Sequence, residues 1–249
     1  MNIKRYAQLL SLTCYAFSSG TLAAESHHAA DHGGQIHFSN ELEQQWLFNR
    51  AQETSYGLAW KSRIGTDEQQ LKLALELERP ESESSHFSTQ LLYSQMLSDF
   101  WNVDIGAGYI EEQFHDASSK QTDKRWQALL GVQGLAVYFI ETEAYITLAA
   151  DQFYALNLQV EREFLFTQRW HLSPFIDLEY VLQDKGRYAK ATGLSTWSIG
   201  SDLRYEWNKQ VVPFVRVQYR EQAERVAFSS INREHAQGML YGAGLSLSF

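Results

Sequence analysis

Histidines cluster near the start of the sequence. Four of the eight histidines, His27, His28, His32 and His37, fall within the stretch HHAADHGGQIH, which also holds Asp31. Neutral imidazoles are common metal ligands, and a polar, glycine-containing segment leaves them free to converge on one ion. The cluster therefore predicts metal capture by a flexible tail. The alternative is a solvated linker that happens to contain histidine.

A second nitrogen site depends on where a leader is removed. Cleavage after Ala24 would expose Glu25-Ser26-His27 at a new amino terminus. The free amine, two deprotonated backbone amides and the His27 imidazole would then supply four nitrogens in one plane, which suits Cu(II) or Ni(II) rather than Zn(II). Cleavage after Ala23 would remove this motif, and Thr21-Leu22-Ala23 is about as good a cleavage site.

Two pairs of carboxylates could supply oxygen ligands. Glu141 and Glu143 are two residues apart, as are Asp177 and Glu179, so each pair lies on one face of a β-strand. Such carboxylates can hold a cation, or they can form ion pairs that stabilise the fold. The arginines predicted on the same face are Arg204, Arg216 and Arg220.

Residues 1–24 have the pattern of a secretory signal peptide. Lys4 and Arg5 precede an apolar run, and Leu22-Ala23-Ala24 ends in small residues. Removing the two cations leaves 21 − 2 = 19 basic and 30 acidic residues, a net charge of −11. This balance argues against a nucleic-acid partner. The single cysteine, Cys14, would leave with the leader, so no thiolate metal site is expected.

The elements that must position these groups are strands. From about residue 40 onward apolar and polar residues alternate, as in Leu71, Leu73, Leu75 and Leu77, which is the period of a strand with two unlike faces. Twelve strands are predicted, at 40–48, 54–64, 69–79, 86–97, 101–111, 125–135, 138–149, 153–165, 170–183, 196–207, 211–222 and 237–249.

The connections indicate the class of β-protein. Those after strands 2, 4, 6, 8 and 10 are mostly short, whereas those after strands 5, 9 and 11 are long and polar: 111–123, 183–195 and 221–236. After the leader, no stretch approaches the roughly 20 apolar residues of a membrane-spanning helix. We therefore predict an all-β fold, a transmembrane antiparallel up-and-down β-barrel of about 12 strands in the outer membrane. Its short turns would be periplasmic and its longer loops extracellular.

Aromatic residues support the membrane assignment, because 14% of the chain is aromatic although the mean hydropathy is only −0.37. Aromatic residues gather at the predicted periplasmic strand ends, where rings would meet lipid headgroups: Phe100, Trp101, Tyr138, Phe166, Trp170, Trp207 and Phe249. The alternating run from Tyr241 to Phe249 is typical of the last strand of outer-membrane proteins. A soluble β-sandwich, the alternative, does not explain it.

The predicted organisation is a signal peptide at 1–24, a His-containing periplasmic tail at 25–38 and a barrel at 39–249. Charged residues of both signs would line the lumen, which predicts cross-barrel ion pairs and no wide channel. The predicted lumen charges are Lys72, Glu76, Glu78, Asp104, Glu141, Glu143, Glu161, Asp177, Glu179, Asp202, Arg204, Glu206, Arg216 and Arg220.

Several segments resemble the copper resistance protein B family of the CopB/PcoB type. They are HFSNELEQQWLF (37–48), RWQALLGVQGLAVYFIETEAYI (125–146), FLFTQRWHLSPFIDLEY (164–180) and VPFVRVQY (212–219). The resemblance implies an outer-membrane barrel that binds copper and works with a periplasmic copper oxidase or chaperone. Family members often carry a Met- and His-rich amino-terminal region, but only Met96 and Met239 follow the initiator here. Nitrogen and oxygen sites for Cu(II) are therefore favoured over thioether sites for Cu(I).

The predicted function is copper binding at the outer membrane, by sequestration or passage of the ion, without catalysis. The first alternative is a narrow solute channel or structural barrel with an incidental His-containing tail. A barrel hydrolase is the second alternative, and neither a Gly-x-Ser-x-Gly nor a His-Glu-x-x-His motif supports it.

Overall fold

The computed structural model describes residues 35–49, 54–80, 85–116, 119–186, 189–223 and 238–249. The strands in these ranges are β1 (His37–Asn49), β2 (Thr54–Gly65), β3 (Gln69–Pro80), β4 (Ser85–Ser98), β5 (Trp101–Asp116), β6 (Ser119–Ala136), β7 (Ile140–Ala149), β8 (Phe153–Glu161), β9 (Phe164–Leu165), β10 (Trp170–Gln183), β11 (Gly193–Tyr205), β12 (Val211–Gln222) and β13 (Gly238–Ser248). Within the described ranges, no helix is long and apolar enough to cross a membrane.

Each long strand pairs antiparallel with the next, and the last strand returns to the first. β13 pairs with β1 in a register that places Glu41 opposite Ser248. The two-residue β9 pairs with β10, on the same side of β10 as β8. The twelve long strands therefore close into an antiparallel transmembrane barrel, and the predicted fold class is confirmed. Among the described residues, closure pairs each of the twelve long strands on both sides.

The predicted strands match the observed ones within a few residues, with one clear exception. The long loop predicted at 111–123 is wrong, because β5 continues to Asp116, β6 begins at Ser119, and the two strands pair over this stretch. Apart from Phe114 and Ala117, the residues there are polar on both faces of the strands. A strand that protrudes beyond the lipid has no apolar face to present, so the alternation ends before the strand does.

The two ends of the barrel differ in their connections. The end where β1 begins and β13 finishes, here called the terminal rim, carries the short turns 66–68, 99–100, 137–139 and 206–210. The opposite end, the loop rim, carries the two longest connections, 184–192 and 223–237, as predicted. Other connections at the loop rim, such as 150–152, are as short as the turns of the terminal rim.

Side-chain exposure separates the two faces of the wall. Leu71 and Ile105 point outward and are 44% and 57% exposed, whereas Lys72 and Asp104, one residue away in each strand, point inward and are 9% and 0% exposed. The apolar residues thus face lipid and the charged residues face the lumen. The predicted period of two is therefore confirmed.

Aromatic pairs mark both ends of the apolar band. At the loop rim Tyr109 contacts Trp126 with ring centroids 5.1 Å apart, and Trp197 contacts Tyr219 at 5.3 Å. At the terminal rim the Trp170 and Tyr205 rings are 4.8 Å apart. The predicted girdle residues Phe100, Tyr138, Phe166 and Trp207 also lie exposed at the terminal rim. Rings at these two levels suit the interfaces of a bilayer.

Candidate functional site

The strand register brings the predicted lumen carboxylates of β7, β8 and β10 onto one patch of wall. Glu141 lies directly opposite Glu161, and Glu143 lies opposite Gln159. On the other side of β8, Gln159 lies opposite Asp177. We call Glu141, Glu143, Glu161 and Asp177 the acidic wall.

The acidic wall lacks cationic partners. Among the residues that the structure describes, no lysine or arginine lies within 4.0 Å of a carboxylate oxygen of these four side chains; the lumen cations pair elsewhere. Like charges directly opposite each other on neighbouring strands destabilise a sheet, and this applies to Glu141 and Glu161. The wall is therefore a region of negative potential inside a low-dielectric barrel.

Glu143 is connected to a buried ion pair through an amide. Gln133 Nε2 donates to Glu143 Oε1 at 2.7 Å, while Lys72 Nζ donates to Gln133 Oε1 at 2.6 Å. Lys72 also binds Asp104 at 3.0 Å, and Asp104 accepts a second bond of 2.6 Å from the Tyr145 hydroxyl. The cation thus neutralises Asp104, which is fully buried, and reaches Glu143 only through the polar amide.

A glycine makes room for the Tyr145 ring. Gly131 lies opposite Tyr145, and a Cβ atom at Gly131 would lie 2.3 Å from the ring carbon Cδ1 of Tyr145. No side chain larger than hydrogen fits there without moving the ring. Gly131 therefore allows the Tyr145 hydroxyl to reach Asp104.

The two carboxylates of the second predicted pair, Asp177 and Glu179, have different partners. Glu179 binds Lys190 Nζ at 2.7 and 2.9 Å and accepts a bond of 3.2 Å from the Thr196 hydroxyl. Asp177 accepts a bond of 2.8 Å from the Ser198 hydroxyl, which carries no formal charge. Glu179 is therefore neutralised, whereas Asp177 has no lysine or arginine within 4.0 Å among the described residues.

On the adjacent stretch of wall, from β11 through β12 to β1, carboxylates and guanidinium groups are matched. Arg216 donates to Asp202 through two nitrogens, at 2.7 and 2.6 Å, and lies 3.4 Å from Glu43. Arg204 donates to Asp202 at 3.1 Å and lies 3.5 Å from Glu43. We call Glu43, Asp202, Arg204 and Arg216 the paired wall. Its bidentate Arg–Asp contact is the strongest kind of side-chain ion pair.

Other ion pairs join strands that are not neighbours. Arg220 of β12 lies 2.9 Å from Glu78 of β3, and Arg125 of β6 lies 2.9 Å from Asp184 beyond the end of β10. The predicted cross-barrel ion pairs are thus confirmed. The predicted arginines Arg204, Arg216 and Arg220 do form ion pairs, but with Glu43, Asp202 and Glu78 rather than with the two predicted carboxylate pairs.

Most of the predicted tail ligands lie outside the described residues, namely His27, His28, Asp31 and His32. His37 is the first residue of β1, and its Nε2 lies 4.0 Å from Asp67 Oδ1 in the turn 66–68. Within the described ranges, no group of three or more His, Cys, Asp or Glu side chains is arranged around a possible metal position. The tail site and the carboxylate sites stay predictions.

His171 is a site residue that sequence reasoning missed. It lies on β10 near the terminal rim, with Nδ1 2.5 Å from Glu163 Oε1 and Nε2 3.9 Å from Glu206 Oε2. The alternation of β10 could have placed it on the lumen face, two positions from Ser173 and four from Phe175. Its acidic neighbours come from two other strand ends, so their approach appears only in the folded barrel.

Comparison with known sequences agrees with the fold. The family model described as copper resistance protein B precursor (CopB) matches residues 34–249. Copper resistance protein B of Escherichia coli is 30% identical over 195 residues, which cover 77% of this chain and 62% of that protein. A homolog from Pseudomonas syringae pv. tomato is 29% identical over 172 residues, 68% of this chain and 56% of the homolog. The chain thus spans about three fifths of the length of these relatives.

Comparison with solved structures supports the architecture alone. The KdgM porin superimposes with a TM-score of 0.53 at 14% identity, and the superposition covers 84% of this chain and 99% of the KdgM chain. The NanC porin gives a TM-score of 0.52 at 12% identity, and the superposition covers 84% of this chain and 98% of the NanC chain. At this identity the likeness shows a porin-like outer-membrane barrel and no shared ligand.

Proposed function

The chain belongs to the copper resistance protein B family, and from that membership we propose that it binds copper ions at the outer membrane, sequestering or passing them without catalysing a reaction. The observation that carries this proposal is the acidic wall, four lumen carboxylates without an ion-pair partner among the described residues. A barrel that needed them only for stability would neutralise them, as it does Glu43 and Asp202.

The donor atoms favour the divalent ion. The proposed ligands are the carboxylates of the acidic wall and the imidazoles of the tail, which are oxygen and nitrogen donors. Thioethers are scarce, since Met96 and Met239 are the only methionines after the first residue. Oxygen and imidazole ligands suit Cu(II), whereas Cu(I) prefers sulfur. We therefore propose Cu(II) as the ion that is handled.

The tail and the wall would act in sequence. In our proposal the terminal rim faces the periplasm, so the tail that precedes β1 and the ends of β7 and β10 near Glu141 and His171 face the same compartment. The tail would capture copper, and the negative potential of the acidic wall would draw the ion into the lumen. A periplasmic copper oxidase or chaperone is the partner that the family resemblance implies.

A Cu(II) titration of the purified mature protein tests the proposal. The comparison uses the unchanged chain, a tail variant in which His27, His28, His32 and His37 are replaced by alanine, and an unrelated β-barrel in the same detergent. Copper bound above the unrelated barrel supports the proposal, and the difference between the two chains measures the share of the tail. Copper binding equal to that of the unrelated barrel would contradict it.

Conductance across a planar bilayer tests the channel alternative. A copper-handling barrel crossed by ion pairs should pass little current in potassium chloride. A steady potassium conductance without copper binding would favour a narrow solute channel instead.

A further inference from the structure

We infer that His171 and Glu206 form a divalent-metal site at the terminal rim, with Glu163 orienting the imidazole. The inference deepens the proposed function and rests on it for the identity of the metal as Cu(II). It adds a nitrogen ligand within the barrel to the carboxylates of the lumen and the histidines of the tail.

The contact with Glu163 fixes the tautomer of His171. Its Nδ1 lies 2.5 Å from Glu163 Oε1, and an ionised carboxylate can only accept a hydrogen bond. The ring proton therefore resides on Nδ1, and in the neutral imidazole the lone pair resides on Nε2. Metal-binding histidines almost always donate their other nitrogen to a carboxylate or carbonyl in this way, which orients the ring and raises its basicity.

The free nitrogen of His171 points to a second carboxylate. Nε2 is shielded from solvent and has no hydrogen-bond partner in the described part of the chain, and it lies 3.9 Å from Glu206 Oε2. This distance is too long for a hydrogen bond. The space between these two acceptors suits a cation, which is either a proton on Nε2 or a metal ion. Metal–nitrogen and metal–carboxylate bonds of about 2.0–2.2 Å would span this gap with the ligands on opposite sides of the ion.

Backbone hydrogen bonds hold the three residues in place. Glu206 N donates to the Arg169 carbonyl at 2.8 Å, just beyond the end of β11. Arg162 N, next to Glu163, donates to the Pro174 carbonyl at 3.1 Å. His171 pairs with Leu165 on one side and with Arg204 on the other. The site is therefore built on paired strand ends rather than on a free loop.

Besides Arg169, whose charge acts on Glu206, Arg204 is a nearby cation that could oppose metal binding. It lies opposite His171 in the register, but its guanidinium is directed to Asp202 at 3.1 Å and Glu43 at 3.5 Å. The paired wall thus occupies the charge of Arg204, while Arg169 donates through Nη1 to the Tyr205 hydroxyl at 3.5 Å. With two protein ligands, the remaining coordination positions are open to water, as expected for an ion in transit rather than in storage.

Nitrogen hyperfine coupling in the electron paramagnetic resonance spectrum of bound Cu(II) tests the site. The full chain with the four tail histidines replaced by alanine serves as the background. In it we expect the coupling of one imidazole nitrogen. His171→Gln should remove this coupling and weaken Cu(II) binding about ten-fold or more, and Glu206→Gln should weaken binding while keeping the coupling. Glu163→Gln should weaken binding about 10- to 100-fold, as expected for a positioning residue.

His86→Gln is the matched control. His86 also lies in the lumen near a carboxylate, with Nδ1 3.5 Å from Glu112 Oε1, but at the loop rim. The spectrum of this variant should not change. Each variant is run on a denaturing gel before and after heating. Slower migration of the heated sample than of the unheated one verifies that the variant had folded into a barrel.

The outcomes separate the inference from the proposed function. A nitrogen coupling that persists in His171→Gln would overturn the inference. Copper binding by the unchanged chain that disappears in the tail variant would also overturn it, while the proposed function would stand. Absence of copper binding by the unchanged chain would contradict the proposed function itself.

Discussion

Two neighbouring patches of the lumen wall differ in how their carboxylates are paired. On the paired wall, Glu43 and Asp202 each lie within 3.5 Å of two guanidinium groups. On the acidic wall, Glu141 lies opposite Glu161 and no cation contacts either within the described part of the chain. The barrel can therefore neutralise acids in its lumen, as it does for Glu43 and Asp202. The acids that have no lysine or arginine within 4.0 Å among the described residues are the ones to which we assign a role in copper binding.

The largest expected effect is the loss of the paired wall. Arg216→Met should lower the free energy of unfolding by about 3–5 kcal/mol, because it leaves Asp202, only 1% exposed, with a single cation at 3.1 Å. Urea unfolding in detergent micelles measures this. Arg216→Lys keeps the charge and loses the bidentate contact, so its free energy of unfolding should lie between those of the unchanged chain and Arg216→Met. An unchanged urea midpoint for Arg216→Met would contradict the stabilising role of the paired wall.

A smaller effect is expected at Asp184, a paired carboxylate beyond the end of β10. Burial raises the pKa of Asp184, but hydrogen bonds from the backbone N–H groups of Lys190 and Gly186 and from Arg125 outweigh burial and hold that pKa below its ordinary value of 3.8. A depressed pKa stabilises the fold above the unfolded-state value, and the contribution is lost as the pH falls through the folded-state pKa.

Asp184→Asn should therefore cost about 1–2 kcal/mol at pH 7. The difference between the two proteins should shrink below about pH 4. Unfolding midpoints at pH 7, 5 and 3 measure it. A difference that stays constant down to pH 3 would contradict the role of the ionised carboxylate.

The smallest expected effect has the opposite sign and concerns the acidic wall. Glu141→Gln combined with Glu161→Gln should raise the free energy of unfolding by up to about 1 kcal/mol, because it removes a like-charge pair across β7 and β8. Glu179→Gln, which takes the partner from Lys190, should lower it. The same urea titration measures both. If both changes were destabilising, the acidic wall would contribute to stability like the paired wall.

The fold could be predicted from the sequence because its signal is local. The alternation of Leu71, Leu73, Leu75 and Leu77 reports a lipid-facing stripe without any knowledge of neighbours. The alternation of apolar and polar residues did not predict the strands within 111–123, because there the strands leave the lipid and both of their faces become mostly polar. A strand there is stabilised by its pairing with the other arm of the hairpin rather than by its own pattern.

The site could be predicted only in part because its contacts are distant in sequence. The alternation placed Glu141, Glu143, Asp177 and Glu179 in the lumen, but it could not show that Lys190 neutralises Glu179. Arg216 and Glu43 are 173 residues apart, and they meet only because β13 returns to β1. His171 was missed for the same reason, since Glu163 and Glu206 reach it from the ends of two other strands.

The central claim is that the acidic wall, and not acidity of the lumen in general, binds copper. Equilibrium dialysis of Cu(II) against two doubly substituted proteins tests it most directly, because both lose the same charge. Glu141→Gln with Asp177→Asn removes acids of the wall, while Glu78→Gln with Glu179→Gln removes acids paired with Arg220 and Lys190. We predict that the first protein loses the copper of the acidic wall and therefore binds less copper than the second, which keeps it. Equal copper binding by the two would contradict the claim.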